Sequence, residues 1–190
     1  MSQLNLKFSR ARSCPLSTQP KYATQGATHR RTESAILEST KSLIAQFGLS
    51  NISMIEIADA SEVSRATLYN LYRDKNAVIS ALISAEVEFI IEIANKAGTP
   101  ADALEKLSLY ISADSALAAM RQHDQSSLTE ALAHADHPLY LEIARCLYSA
   151  TKSEAGTGVA MRWLIGQVLQ PLNAKQSREQ AELLVDRTLF

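Results

Sequence analysis

The sequence is poor in the residues that mark most specialised chemistries. Its 190 residues hold two cysteines, Cys14 and Cys146, and no Cys-x-x-Cys pair. Neither a disulfide framework nor a zinc cluster can be argued from that, and a reducing cytoplasm is the simplest compartment. Six glycines and five prolines are present, and valines are few and scattered. With almost no period-two alternation, strands are disfavoured and an all-α fold is expected. No run approaches the roughly 18 apolar residues of a membrane span; even 85–94 is broken by Glu86, Glu88 and Glu92. The N-terminus has no apolar core of the secretory type. No glycine-rich phosphate loop, paired-carboxylate motif or Ser/His/Asp order stands out, so no catalytic residue, cofactor or metal is assigned and the chain is not expected to be an enzyme. Acid is missing from one end altogether. Residues 1–31 carry six bases (Lys7, Arg10, Arg12, Lys21, Arg30, Arg31) and no acid, whereas 32–190 hold 13 bases and 20 acids. The net charge of −1 therefore hides a basic arm on an acidic body.

What is present is helical periodicity. Residues 1–28, rich in Ser, Thr, Gln and Pro, read as a basic flexible arm with too little apolar content for a core. From Thr32, a candidate N-cap, Ile36, Leu37, Thr40, Leu43, Ile44 and Phe47 repeat on one helical face, and Gly48 stands where a left-handed residue ends a helix. Ser53-Met54-Ile55-Glu56 is a capping box that opens a short helix to about Ala60. Ser61-Glu62-Val63 is a tight connection, and Ser64 caps a third helix from Arg65 to about Tyr72. Asp74 caps a fourth, Lys75 to about Lys96, with Gly98 beyond it, and Thr99-Pro100 starts a fifth. One or two short helices are expected over 114–135, a break at His137-Pro138 and a helix over 139–150. A flexible joint is expected at 154–158, a strongly apolar helix over 159–172, and a last helix from about Ser177 to the end, with Leu183, Leu184 and Leu189.

The informative segment is 53–75. Two short helices joined by a three-residue turn, about 54–73, form a helix-turn-helix, whose second helix can enter the major groove. With Leu68 facing inward and about 100° per residue, Leu71 and Tyr72 fall on its side and Ala66 and Asn70 nearly opposite, with Thr67, Tyr69 and Arg73 flanking them. Ala66 permits close approach, Asn70 can pair bidentately with adenine, and Arg65 can reach guanine or a phosphate. Unpaired N–H groups near Ser53 and Lys75 suit phosphates. Ser53, Tyr69 and Lys75 are thus assigned to positioning and Arg65, Ala66, Thr67 and Asn70 to base readout, with the cap Ser64 also counted among the DNA-binding residues. Tyr72 reads as core. The stretch 32–80, through ILESTKSLIAQFGLSNISMIEIADASEVSRATLYNLYRDKNAVISAL, resembles the N-terminal domain of TetR-family transcriptional regulators. Phe47-Gly48, Ile55–Ala60, Val63-Ser64-Arg65, Leu68-Tyr69 and Asp74-Lys75 carry the likeness. The resemblance implies an N-terminal three-helix DNA-binding domain (29–77), a larger helical effector-binding and dimerisation domain (78–190), a homodimer, and phosphate contacts by Tyr69 and Lys75. This chain departs from the family at Leu71, which cannot bond a phosphate. Residues 32–77 are also not basic, with four bases against six acids, so DNA affinity must come from local placement of charge or from the arm.

Residues 78–190 hold nine bases and 14 acids, a body ill suited to lie along DNA. The apolar helix 159–172 and the terminal helix are expected to make a four-helix dimer contact. Tyr110, Met120, Tyr140, Tyr148 and Trp163 are candidate lining for an apolar pocket. His134-Ala135-Asp136-His137, even with His123 and Cys146, matches no standard zinc spacing and reads as a capped loop. The expectation is a sequence-specific DNA-binding regulator, a repressor released from a palindromic operator by an unidentified small-molecule effector, with no membrane partner. The fourth helix, leading from Lys75 to the pocket, is the natural lever. The alternatives are a helical small-molecule-binding protein or enzyme with a structural helix-turn-helix, and an adaptor that uses the fold for protein contacts.

Overall fold

A computed structural model describes the backbone of residues 21–133 and 138–186 and the side chains from residue 26 onward within them. Among the described residues there are ten helices and no strand: α1 Lys21–Phe47, α2 Met54–Ala60, α3 Arg65–Leu71, α4 Lys75–Asn95, α5 Pro100–Ala113, α6 Ser115–His123, α7 Gln125–Ala133, α8 Pro138–Thr151, α9 Glu154–Leu169 and α10 Ala174–Val185. The all-α expectation holds.

Helix starts follow the capping chemistry. The Ser53 hydroxyl accepts from the Glu56 N–H while Glu56 accepts from the Ser53 N–H, a closed capping box on α2. Ser64, Asp74, Thr99 and Asp114 cap α3, α4, α5 and α6 through their side chains. Several boundaries differ from expectation: the apolar helix expected over 159–172 ends at Leu169, and the last helix closes at Val185. α1 begins at Lys21 instead of after Thr32. Thr32 is interior to it, its hydroxyl donating to the Thr28 carbonyl 3.0 Å away, the back-bond open to a threonine inside a helix. The segment 154–158 is no joint: Ser153 caps α9 by accepting from the Gly156 N–H, and the two glycines are taken into the first turns. α10 starts before Ser177 because Asn173 and Gln176 form a second capping box.

Two cores share the molecule. The first joins α1–α4 around Ile36, Ile44, Ile57, Leu68 and Val78, and extends to Leu82 and Ala116. The second joins α5, α8, α9 and α10 around Leu104, Leu107, Leu147, Ala160, Leu164 and Ala181. A buried polar knot locks the second. The Ser108 hydroxyl lies within hydrogen-bond distance of Gln167 Oε1 and Ser177 Oγ (2.5 and 2.6 Å), so α10 is keyed to both α5 and α9. Because α1 packs on α6 and α4 on α5 and α8, no break in packing falls at residue 77.

Candidate functional site

The helix-turn-helix stands as read. Leu68 is fully buried, and Leu71 and Tyr72 are half-buried against the same core. Burial raises the Tyr72 phenol above its usual pKa, with the charge of Glu33 adding to it. On the opposite side Arg65, Ala66, Thr67, Tyr69 and Asn70 are all exposed, Tyr69 by 52%. One face of a two-turn helix thus presents a guanidinium, an amide, a hydroxyl and a phenol. Ser64 and Thr67 are tied to each other, since the Ser64 hydroxyl accepts the Thr67 N–H at 3.0 Å and the two hydroxyls lie 2.8 Å apart.

The two residues assigned to helix N-termini are engaged inside the protein. The Ser53 N–H and hydroxyl both donate to Glu56 Oε2 at 2.7 Å, so a phosphate there would compete with a carboxylate. Lys75 donates to the Leu49 and Ile52 carbonyls, each at 3.1 Å. It spends two of its three N–H donors on tying the start of α4 to the α1–α2 loop.

That loop has a second anchor, one that sequence reasoning missed. Asp124, between α6 and α7 and only 3% exposed, accepts the Leu49 N–H at 2.6 Å, the Ser50 N–H at 3.0 Å and the Ser50 hydroxyl. Burial alone would push this carboxyl up, but these bonds and the nearby His123 outweigh it and hold the group below its ordinary range. Gly48 completes the joint. Its φ of +82° is left-handed, and a Cβ there would sit 2.7 Å from Asp124 Oδ2, so both conformation and space require glycine.

Below this joint lies a cavity of about 650 Å³. Its walls are largely Ile, Leu, Val and Met from α1, α4, α5, α6, α7, α8 and α9. Of the five candidate lining residues, Tyr110, Met120 and Tyr140 line this cavity and Tyr148 and Trp163 do not. On α8 the inward stripe is Tyr140, Ile143 and Leu147, and Tyr148 turns outward, 48% exposed. On α9 Met161, Leu164, Ile165 and Val168 face the cavity, while the Trp163 indole N–H donates to Gln180 of α10 at 2.6 Å.

One side of the cavity carries charge that sequence reasoning also missed. Lys41 Nζ is 2.7 Å from Glu86 Oε2, 2.7 Å from Asp114 Oδ2 and 3.1 Å from the Tyr110 hydroxyl, which donates to Glu86 Oε2 at 2.6 Å. Burial would lower the Lys41 pKa, but the bonds to Asp114, Glu86 and Tyr110 prevail and raise it, so the ammonium stays charged. Burial, followed by the bond to Glu86, raises the Tyr110 phenol and keeps it protonated. The signal was in the sequence: Glu86 sits in the stripe Leu82–Glu86–Ile90, a charge at an i+4 position of an apolar face.

The His/Asp cluster at 134–137 and Leu189 lie outside the described residues. Among the described residues no group of three or more His, Cys, Asp or Glu could hold a metal. No helix among them is long and apolar enough to cross a membrane.

Residues 36–82 match the family model described as bacterial regulatory proteins, tetR family. The comparison with curated proteins gives no match. Among solved structures the chain is similar to a transcriptional regulator of Streptomyces coelicolor A3(2), SCO7518, at 15% identity, with 82% of this chain and 99% of that one covered and a TM-score of 0.58. It is similar to the dihydroxyacetone kinase operon activator DhaS at 13% identity, 84% and 97% coverage and a TM-score of 0.60. The fatty acid degradation regulator FadR of Bacillus halodurans gives 15% identity, 82% and 95% coverage and 0.51. At these identities the likeness speaks for the fold.

Proposed function

We propose that this chain, whose residues 36–82 match the model of the bacterial tetR family of regulatory proteins, is a DNA-binding transcriptional regulator that holds a palindromic operator as a homodimer and leaves it when a small molecule fills the cavity. The observation that carries this reading is where the cavity lies. Ile44 and Leu82 belong to the core that supports the recognition helix and also line the cavity, beside Lys41, Leu49 and Ile79. A ligand there touches the elements that hold α3, and does so from within the body. If it binds better to a form with the two recognition helices badly spaced, it must weaken operator binding by the same factor. Effective binding needs those helices about one duplex turn apart.

In this reading α3 reads bases with Arg65, Thr67 and Asn70 over the small Ala66, and Tyr69 takes a phosphate. Ser53, Ser64 and Lys75 serve mainly by fixing helix starts, Lys75 keeping one proton for the backbone of DNA. Acidic Glu56, Asp59 and Glu62 lie exposed on α2 and the turn, so positive charge must come from elsewhere. Arg73, exposed just after α3, and Arg30 and Arg31, exposed in the N-terminal half of α1, are the candidate sources. The test is binding to a palindromic duplex taken from the DNA upstream of the gene, measured over a range of salt. Specific, salt-dependent binding is expected, and its absence overturns the reading. Replacing Arg30 and Arg31 by Ala should reduce the log–log salt slope by about 1 for each phosphate that these side chains neutralise.

The homodimer reading is supported by exposed apolar side chains. In the body Leu141 and Tyr148 of α8, Val159 and Leu169 of α9 and Leu183 of α10 are 41–59% exposed, more large apolar surface than a lone helical face needs. α9 and α10, with α8 beside them, are the proposed contact. Leu183→Glu combined with Val159→Glu should convert a dimer to a monomer in sedimentation, with the helical signal retained.

A further inference from the structure

We propose that the cavity takes an amphiphile with a protonated amine head seated against Glu86, and that it discriminates against carboxylates. The proposal deepens the effector reading above and rests on it. Donors and acceptors can be counted at the charged side of the cavity. Lys41 has three N–H donors, and Glu86, Asp114 and the Tyr110 hydroxyl each lie within 3.1 Å of its nitrogen. The single Tyr110 proton goes to Glu86 Oε2. Asp114 uses its other oxygen, Oδ1, to cap α6 through the Leu117 N–H at 2.8 Å. Glu86 Oε2 thus receives two bonds, while Oε1 receives none within the described residues.

The cluster therefore has no donor left and one carboxylate oxygen to offer. Its formal charge is −1, from one ammonium and two carboxylates. An anionic head would meet like charge with no N–H to bind, in surroundings where the wall is too apolar to screen it. A cationic head meets an acceptor and brings the cluster to neutrality. The remaining polar groups do not reverse this preference. Tyr140 donates its proton to the Leu132 carbonyl, and Ser84 to the Ser80 carbonyl. The hydroxyls of Ser80 and Ser127 on the wall can donate or accept and so favour neither sign. The rest of the wall is aliphatic, and a cavity of about 650 Å³ is of the size that encloses a small organic molecule.

The test uses three probes of one shape and different heads: phenylbutylamine, phenylbutanol and phenylbutyrate. Each is titrated calorimetrically into the full-length protein at neutral pH and then added to the protein–operator complex. The amine is expected to bind about ten-fold more tightly than the alcohol, and the acid more weakly than the alcohol. Glu86→Gln keeps an acceptor for Lys41 and should abolish the amine's advantage over the alcohol. Equal affinities, a preference for the acid, or an amine indifferent to Glu86→Gln overturns the head-group assignment. If the alcohol or acid binds and releases DNA under those outcomes, the effector reading survives and only the head group is wrong. Absence of binding by all three probes overturns both. The comparison among probes on the unaltered protein needs no variant, so a folding defect in Glu86→Gln cannot rescue the proposal.

Discussion

Asp124→Ala is expected to destabilise the protein by roughly 1–3 kcal/mol, read as a lowered denaturant midpoint. The side chain is 3% exposed, and its removal strands the Leu49 and Ser50 N–H groups, which have no other acceptor among the bonds of this loop. A buried donor left unpaired costs about 1–3 kcal/mol; Leu49 is half-buried and Ser50 exposed, so water offsets part of that cost. Asp124→Asn should fall between, because one oxygen remains while the amide N–H₂ must face a donor. The two variants also differ from the native chain in acid. A carboxyl held below its ordinary pKa contributes stability that is complete above its unfolded value of 3.8 and is lost as pH falls through the lower folded value. The stability gap between native protein and Asp124→Asn should therefore be constant near neutrality and narrow below about pH 4. An unchanged gap at low pH would mean that the carboxylate charge is not what holds the loop.

The same variant has a functional reading. Met120, Ser127 and Leu128, on the two helices that flank Asp124, line the cavity. Asp124 holds the Leu49–Ser50 backbone, and Lys75 holds the Leu49 and Ile52 carbonyls from the other side. The α1–α2 loop is thus gripped by a cavity-side carboxylate and by the first residue of the helix that follows α3. A shift of α6 and α7 on ligand entry would be transmitted to α2 and α4 through these bonds.

The sequence made the recognition half of the molecule legible because its determinants are local. Ser53-x-x-Glu56, Ser64 and Asp74 state where helices begin, and the period around Leu68 states which face is buried. Each depends on residues three or four apart. The joint and the charged side of the cavity depend on residues 23 to 75 apart in the chain, such as Lys75 with Ile52 and Asp124 with Leu49, and spacing says nothing about those. Lys75 illustrates the limit: a basic residue at a helix start suits a phosphate, yet two nearby carbonyls claim most of its donors. Trp163 and Tyr148 illustrate another, since aromatic type does not say which side of a helix faces a cavity once several helices compete for it. The early start of α1 and the continuous α9 escaped sequence reasoning for a different reason. Ser, Thr and Gly weaken helix propensity by amounts that a cap or a packed neighbour can offset.

On a specific duplex, Arg65→Ala and Asn70→Ala are each expected to weaken binding by about 1–3 kcal/mol, roughly five- to 150-fold, and to relax base preference at the positions they contact. Both side chains are exposed on the side of α3 away from the fully buried Leu68, so neither change should move the unfolding midpoint by more than about 0.5 kcal/mol. Tyr69→Phe removes only the phenol oxygen. It should weaken binding to all duplexes alike, without altering preference, because a phosphate contact carries no sequence information. The contrast is the informative part. Arg65 stands at the first position of α3, where it can reach either a guanine edge or the backbone. Loss of base preference in Arg65→Ala assigns it to the groove. A uniform loss, with a salt slope reduced by about 1, assigns it to a phosphate and leaves Thr67 and Asn70 to read the bases. If Arg65→Ala, Asn70→Ala and Tyr69→Phe all bind as the native chain does, α3 is not the reading helix and the proposed DNA-facing surface is wrong.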